Sequence, residues 1–199
     1  MRSRWSVLSL VSAVLGSLAG CPLTATSPIE VSPSLTSTPV ASGSSASGAP
    51  ASGSDSISQQ FPECVSPRRA AEWRDTILTL VNRERGSRGL GKLTRNATLE
   101  AQAEAYACEM IHDDFFDHVN PVTGSTLRDR AQEFGYSFQV IGENLAAGQP
   151  TPEQAFTDWM NSAGHRSNIL DSRFTELGIG IRTGGDYGVY WVQEFGEPR

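Results

Sequence analysis

The sequence predicts an α+β fold for about residues 61–199, because helical periodicity fills the first part of that region and strand periodicity fills its end. The preceding segment lacks the composition of a core: 29 of the 39 residues from 22 to 60 are Ser, Ala, Pro, Thr or Gly, and none is aromatic. The 139 residues from 61 onward hold 15 of the 16 aromatic side chains, which is enough for one modest core. We therefore expect helices packed on an antiparallel sheet.

Four helices are predicted, from apolar residues at helical spacing, from their end signals, or from both. The second helix begins at Asn96, a favourable N-cap, and Ser125 is suited to cap the third. Thr151 and Pro152 open the fourth helix, since Thr is suited to the N-cap and Pro is tolerated at the first helical position. The predicted helices span about residues 70–88, 96–113, 126–134 and 152–162.

Three strands are predicted, two of them at the end of the domain. Apolar residues at 177, 179 and 181 alternate with other types, and residues 187–195 are rich in Val, Tyr and Trp. Gly184-Gly185-Asp186 joins these two strands as a hairpin loop. A third strand is predicted over about residues 138–141.

The charge balance excludes several classes of partner. From residue 61 onward, 14 Lys and Arg stand against 20 Asp and Glu, so there is no basic stripe to attract a phosphate backbone. Nucleic acid is therefore not an expected partner. No apolar run reaches the roughly 18 residues that a membrane-spanning helix requires.

The first twenty residues have the architecture of a secretory signal. Arg2 and Arg4 precede a short apolar stretch that ends in small residues, which is the pattern of an export signal. The ending Leu18-Ala19-Gly20-Cys21 resembles the bacterial lipobox, in which the chain is cut before the Cys and the thiol is lipidated. The alternative is a plain signal followed by a chance Cys. The predicted organisation is a lipoprotein signal at 1–20, lipidated Cys21 and a disordered tether at 21–60, and a folded domain at 61–199.

The cysteine count fits this organisation. Three cysteines are an odd number for an exported protein, and an unpaired one needs an explanation. If Cys21 carries lipid, Cys64 and Cys108 remain. In an oxidising compartment they most simply form one disulfide, joining the start of the domain to its second helix. Two free buried thiols are the alternative.

Few residues are candidates for chemistry. His118 and His165 each follow a predicted helix, outside the apolar stripes, whereas His112 lies on the second helix and is interpreted as a surface residue. Glu143 follows a glycine after a predicted strand. A carboxylate near two imidazoles can orient a His tautomer, act as a base or help to hold a metal. Spacing alone does not bring these residues together, and purely structural imidazoles are the alternative.

Four ordered motifs carry a family resemblance. They are Phe116-x-His118-x-Asn120-Pro121, Gly142-Glu143-Asn144-Leu145-Ala146, Trp159-Met160-Asn161-Ser162-x-Gly164-His165-Arg166-x-Asn168-Ile169-Leu170 and Tyr190-Trp191-Val192-Gln193-x-Phe195-Gly196. Over about residues 73–196 the chain resembles the CAP superfamily (cysteine-rich secretory proteins, antigen 5 and pathogenesis-related protein 1), in particular its bacterial secreted branch. The resemblance implies an α-β-α sandwich with a mainly antiparallel central sheet.

The resemblance also implies a cleft that contains His118, Glu143 and His165. Eukaryotic relatives have a second Glu three residues after the helix Trp, where this chain has Ser162; Asp158 or Glu153 are the candidate substitutes. No cofactor is expected to be required. His118 and His165 are the candidate ligands of a weak zinc site, since two His and a carboxylate satisfy zinc chemistry.

Three functions follow as hypotheses. The first is a monomeric, lipid-anchored module in the bacterial cell envelope whose cleft binds an envelope lipid, glycan or protein. The second is a hydrolase of extracellular peptides or esters, either metal-assisted or with Ser162, His165 and Glu143 as a Ser-His-acid arrangement. No strand-turn-helix elbow surrounds Ser162, which weighs against the second. The third is a structural or regulatory surface protein.

Overall fold

The computed structural model describes residue 57 and residues 59–199. The predicted signal at 1–20, Cys21 and nearly all of the predicted tether at 21–60 lie outside the described residues. Within the described part of the chain, no helix combines the length and apolar character needed to cross a bilayer.

Residues 61–199 contain five helices and four strands. The helices are α1 (Ala70–Ser87), α2 (Ala97–His112), α3 (Leu127–Glu133), α4 (Pro152–Asn161) and α5 (Ala163–Ile169). The strands are β1 (Thr94–Arg95), β2 (Phe138–Ala147), β3 (Glu176–Gly184) and β4 (Gly188–Pro198). The four predicted helices are therefore present, and α5 and β1 were not predicted.

The strands form one sheet in the order β1-β3-β4-β2. The β3–β4 hairpin and the β2–β4 pair are antiparallel, whereas the two-residue β1 pairs with β3 in parallel. The predicted α+β class and mainly antiparallel sheet are confirmed, and the short parallel pair makes the sheet mixed. β2 is an edge strand, and this position exposes the candidate site.

Helices cover both faces of the sheet, because β4 alternates between two cores. Trp191 and Phe195 pack in one cluster with residues of α1, α4 and α5 such as Ile77 and Trp159. Tyr190 and Val192, on the other face, pack in a cluster formed largely by α2. This is the α-β-α sandwich that the family resemblance implied.

Two glycines of β3 let α2 lie directly on the sheet. A Cβ on Gly178 would lie 2.2 Å from the carbonyl carbon of Leu99, and one on Gly180 would lie 2.3 Å from that of Ala103. Real Cβ atoms do not approach backbone atoms so closely. The glycines of β3 therefore face α2, whereas Leu177, Ile179 and Ile181 face the core on the other side of the sheet.

Three local predictions were wrong. The cap of α3 is Thr126 rather than Ser125, because Thr126 and Asp129 form a reciprocal capping box. β2 continues to Ala147, so Glu143 lies within the strand and not after it. His165 lies inside the short helix α5, not in a loop after α4.

The predicted disulfide between Cys64 and Cys108 is confirmed. The two Cα atoms are 5.4 Å apart and the bridge spans 44 residues. Both cysteines are buried in the core cluster beneath α2. The bridge therefore fastens the segment before α1 to the middle of the domain.

Candidate functional site

The site is built along the free edge of β2. On that edge, the carbonyl of Glu143 accepts a hydrogen bond from Asn168 Nδ2 at 2.9 Å, and the carbonyl of Leu145 accepts one from Trp159 Nε1 at 3.1 Å. These bonds hold α4 and α5 against the strand and occupy two edge carbonyls. Asn144 Nδ2 also donates to the backbone carbonyl of His165 at 3.0 Å, which places His165 beside the strand.

Glu143 connects the edge strand to the opposite wall of the site. Its Oε1 lies 2.7 Å from His118 Nδ1, and its Oε2 accepts a hydrogen bond from Arg130 Nη2 at 2.7 Å. The side chains of Glu143 and Arg130 are each only 2% exposed, whereas that of His118 is 54% exposed. The buried ion pair thus orients a half-exposed imidazole and leaves its Nε2 for a ligand.

Arg130 also fixes the loop that carries His118. Its Nη1 donates to the carbonyls of His118 and Ser125, each at 3.3 Å. Its guanidinium lies 3.3 Å from the centre of the Tyr106 ring, so a cation–π contact supports it from α2. Removing Arg130 would leave the Glu143 carboxylate buried without its cation, which is strongly destabilising.

Asn120 explains why the loop after His118 turns as it does. Its Oδ1 accepts hydrogen bonds from the backbone N–H groups of Val122 and Thr123, at 2.8 and 3.0 Å. Its Nδ2 donates to the Glu109 carboxylate at 2.8 Å. The buried Asn120 therefore closes an Asx turn and ties it to α2.

The two imidazoles differ electrostatically. The hydrogen bond to Glu143 raises the pKa of His118, against the opposing effect of burial. Burial lowers the pKa of His165, and the nearby charge of His118 lowers it further. The site therefore favours a cationic His118 beside a neutral His165.

The hydrolase arrangement is less complete than the cleft. Ser162 lies between α4 and α5, and within residues 59–199 its hydroxyl forms no hydrogen bond with His165. Asp158 accepts a hydrogen bond from Gln149 at 3.0 Å, and Glu153 acts electrostatically on Arg69. The interactions of these two carboxylates are thus with Gln149 and Arg69, and Glu143 bonds instead to His118 and Arg130.

The residues present do not make a complete metal site. No group of three or more His, Cys, Asp or Glu side chains in the described residues is arranged to hold a metal ion. Both oxygens of Glu143 are already hydrogen-bonded, to His118 and Arg130. His118 and His165 are left as a two-imidazole set, one ligand short of the three protein ligands typical of catalytic zinc.

The sequence interpretation missed a second buried carboxyl group, that of Glu194. It lies directly opposite Glu143 in the β2–β4 pair and is 0% exposed. Burial, and then the charge of Glu143, raise the pKa of Glu194 well above its ordinary value. A signal was available: Glu194 has the same parity in its strand as the core residues Tyr190 and Val192.

Fold and site together define an α-β-α sandwich domain with an acid–histidine cleft at a sheet edge. The profile of the cysteine-rich secretory protein (CAP) family matches residues 78–195, and the chain belongs to this family.

Bacterial relatives share the domain. The uncharacterized protein YkwD of Bacillus subtilis is 38% identical over 130 residues, which are 65% of this chain and 49% of that protein. The uncharacterized membrane protein YlbC of the same organism is 35% identical over 124 residues, 60% of this chain and 36% of that protein. The chain thus spans half or less of the length of these relatives.

Solved structures agree on the fold. A Bacillus anthracis extracellular protein containing an SCP domain matches with a TM-score of 0.56 and 32% identity, over 62% of this chain and 39% of that one. An outer surface protein of Borrelia burgdorferi matches with a TM-score of 0.61 and 21% identity, over 68% of this chain and 98% of that one. The latter similarity shows the fold alone.

Proposed function

We propose that this CAP domain is a binding module of the bacterial cell envelope, anchored by lipid on Cys21, whose cleft of His118, Glu143 and His165 binds an envelope lipid, glycan or protein. One observation carries the proposal: a buried Arg130–Glu143 pair orients His118 while leaving that imidazole half exposed. Fixed polar groups at an exposed edge are the usual means of orienting a ligand. The extracellular relative from Bacillus anthracis supports the location.

The two imidazoles suit a ligand with adjacent acceptor and donor groups. A cationic His118 donates from Nε2 to a phosphate, carboxylate or carbonyl oxygen, and such charge-assisted bonds are the stronger ones. A neutral His165 supplies one donor and one acceptor. The shift in the His118 pKa comes first from Glu143, so binding should depend on Glu143 even though its carboxylate is buried.

A hydrolase of the Ser-His-acid type needs a nucleophile that is hydrogen-bonded to its base. Within the described residues there is no such hydrogen bond between Ser162 and His165. We therefore place binding first. Zinc binding by His118 and His165 is proposed to be weak and unnecessary for ligand binding, since the set lacks a third ligand. A chelator is then expected to leave ligand binding unchanged.

In the test, the domain is titrated separately with three probes and its histidine ring signals are recorded by NMR. The probes are anionic phospholipid vesicles, soluble peptidoglycan fragments and an unfolded polypeptide. One probe is expected to shift the signals of His118 and His165, and Glu143→Gln should weaken its binding. His112, which is also exposed and paired with Glu63, provides the matched control in His112→Ala. The proposal is wrong if no probe moves either signal. It is also wrong if mass spectrometry finds cleaved probe that disappears in Ser162→Ala.

A further inference from the structure

An exposed aromatic patch lies where the loop before His118 meets the tip of the β3–β4 hairpin. The patch consists of Phe116, Tyr187 and Tyr190. The Phe116 ring lies 5.7 Å from that of Tyr187 and 6.4 Å from that of Tyr190, and the two tyrosine rings are 5.7 Å apart. Phe116 is 41% exposed and Tyr187 53%, over a buried Tyr190. Large apolar side chains exposed side by side mark interaction surfaces.

Acidic residues surround this patch. Asp114 and Asp117 flank Phe116, Asp186 precedes Tyr187, and all three are exposed. Asp114 and Asp186 lie close enough to the Tyr190 hydroxyl to act on it electrostatically. The sequence has no Lys or Arg from 96 to 127 or from 183 to 198. The basic side chains of these two segments are limited to His112 and His118, so the rim that the segments contribute is predominantly acidic.

We infer that the aromatic patch binds a basic, apolar peptide segment of a partner protein. The faces of Phe116 and Tyr187 accept Lys or Arg side chains through cation–π contacts, and the acidic rim complements the charge of such a segment. The same rim repels anionic lipid headgroups. The occupant is therefore a protein segment rather than a membrane surface.

The segment would dock through side chains and not as an added strand. The free edge of β2 is closed at two carbonyls by Asn168 and Trp159, and unpaired edge groups are what an added strand requires. The patch is formed by the loop before His118 and by the tip of the hairpin, and its rings are not those of the cleft set His118, Glu143 and His165. This inference consequently does not depend on the proposed histidine cleft.

The test measures binding of three fluorescent peptides of equal length and equal leucine content by anisotropy. The first alternates Lys with Leu, the second Glu with Leu and the third Gln with Leu. We expect the Lys peptide to bind, the Gln peptide to bind more weakly and the Glu peptide not to bind. Added salt should weaken binding of the Lys peptide, because salt screens the exposed charges of the rim.

Isosteric variants separate the patch from the overall negative charge. Asp114→Asn, Asp117→Asn and Asp186→Asn together keep the side-chain shapes, and Asn tolerates the left-handed backbone of Asp114 (φ 52°). The triple variant should weaken binding of the Lys peptide about eightfold, at a factor of roughly two for each of the three rim charges. The matched control removes three acids of α1 and α4, on the opposite face of the sheet: Asp75→Asn, Glu84→Gln and Glu153→Gln.

The ring itself is tested at Tyr187. Tyr187→Ala should weaken binding of the Lys peptide, whereas Tyr187→Phe keeps the aromatic face and should bind the peptide as the wild type does. Three results would overturn the inference: equal binding of the Glu and Lys peptides, equal weakening by the two triple variants, or anionic vesicles that bind in a Tyr187-dependent manner. The last result would assign the patch to a membrane. The probes and variants differ from those of the cleft experiment, so each proposal can fail separately.

Discussion

A single buried cation serves two carboxyl groups beneath the cleft. Arg130 donates to Glu143 at 2.7 Å and also acts electrostatically on Glu194. Burial and the charge of Glu143 outweigh the opposing effects of Arg130 and Gln102 on the pKa of Glu194. Burial therefore keeps Glu194 protonated at pH values at which exposed glutamates are ionised. Glu143 remains the anion that orients His118.

The state of Glu194 predicts a loss of stability as the pH rises. Because the folded-state pKa of Glu194 is raised, its stabilising contribution is complete below the unfolded value near 4.5 and is lost as the pH rises through the folded value. Between these two values the loss is about 1.4 kcal/mol for each pH unit, and above the folded value it stays constant. Urea unfolding from about pH 5 to about pH 9 should show this loss in the wild type but not in Glu194→Gln. Glu153→Gln, at an exposed position, should follow the wild type, and parallel curves for all three proteins would contradict the prediction.

At this scale the sequence identifies the residues of the cleft better than the buried charged groups that surround them. His118, Glu143 and His165 stand out because each sits in a family motif and outside an apolar stripe. Glu194 and Arg130 do not stand out, because their roles depend on which face of β4 and of α3 points inward. The convergence of His118 and Glu143 also required the structure, since 25 residues separate them.

At the scale of elements, the close contact of α2 with β3 is the most stringent packing requirement. Gly180→Ala places a methyl group 2.3 Å from the carbonyl carbon of Ala103, and either α2 or the sheet must shift. We expect the free energy of unfolding to fall by about 2 kcal/mol or more. Urea titration measures the change, and the slope of the transition should stay constant. Gly91→Ala has no atom within 4 Å of its new Cβ and should be nearly neutral; equal effects would show that α2 gives way freely.

The elements that sequence reasoning shortened or missed have tertiary causes. Gly142-Glu143-Asn144 is typical of a turn, yet it lies in the middle of β2. Gly142 is there because a Cβ would lie 2.8 Å from the Phe174 ring, and Asn144 bonds to Gln193 across the strands at 3.0 Å. Helix α5 contains only seven residues, too few for a periodic pattern. Long helices with clear caps were predicted correctly because their signals are local.

For the whole molecule, the disulfide is the covalent support of the fold. It closes a segment of 44 residues, and chain-entropy arguments give such a bridge about 4 kcal/mol. Reduction, or Cys64→Ala with Cys108→Ala, should lower the free energy of unfolding by about that amount, measured by urea titration. Intact-mass measurement before and after alkylation checks the bond itself. Two alkylatable thiols in the native, unreduced protein would contradict it.

Attachment to a membrane is the prediction that concerns the whole chain, and it depends on Cys21. The domain from residue 61 onward carries more acids than bases, so an anionic membrane surface repels it. Stable attachment then requires a lipid, and more than one acyl chain on a single cysteine gives firm anchoring. The predicted tether would place the domain about 35 Å from the anchor by flexible-chain scaling.

We expect the mature protein to begin at Cys21, to carry the mass of a lipid and to partition into detergent. Cys21→Ala should remain uncleaved or appear in the aqueous phase, whereas Cys64→Ala with Cys108→Ala should still partition into detergent. A Cys21→Ala protein that is processed and enters the detergent phase as the wild type does would contradict lipid attachment at Cys21.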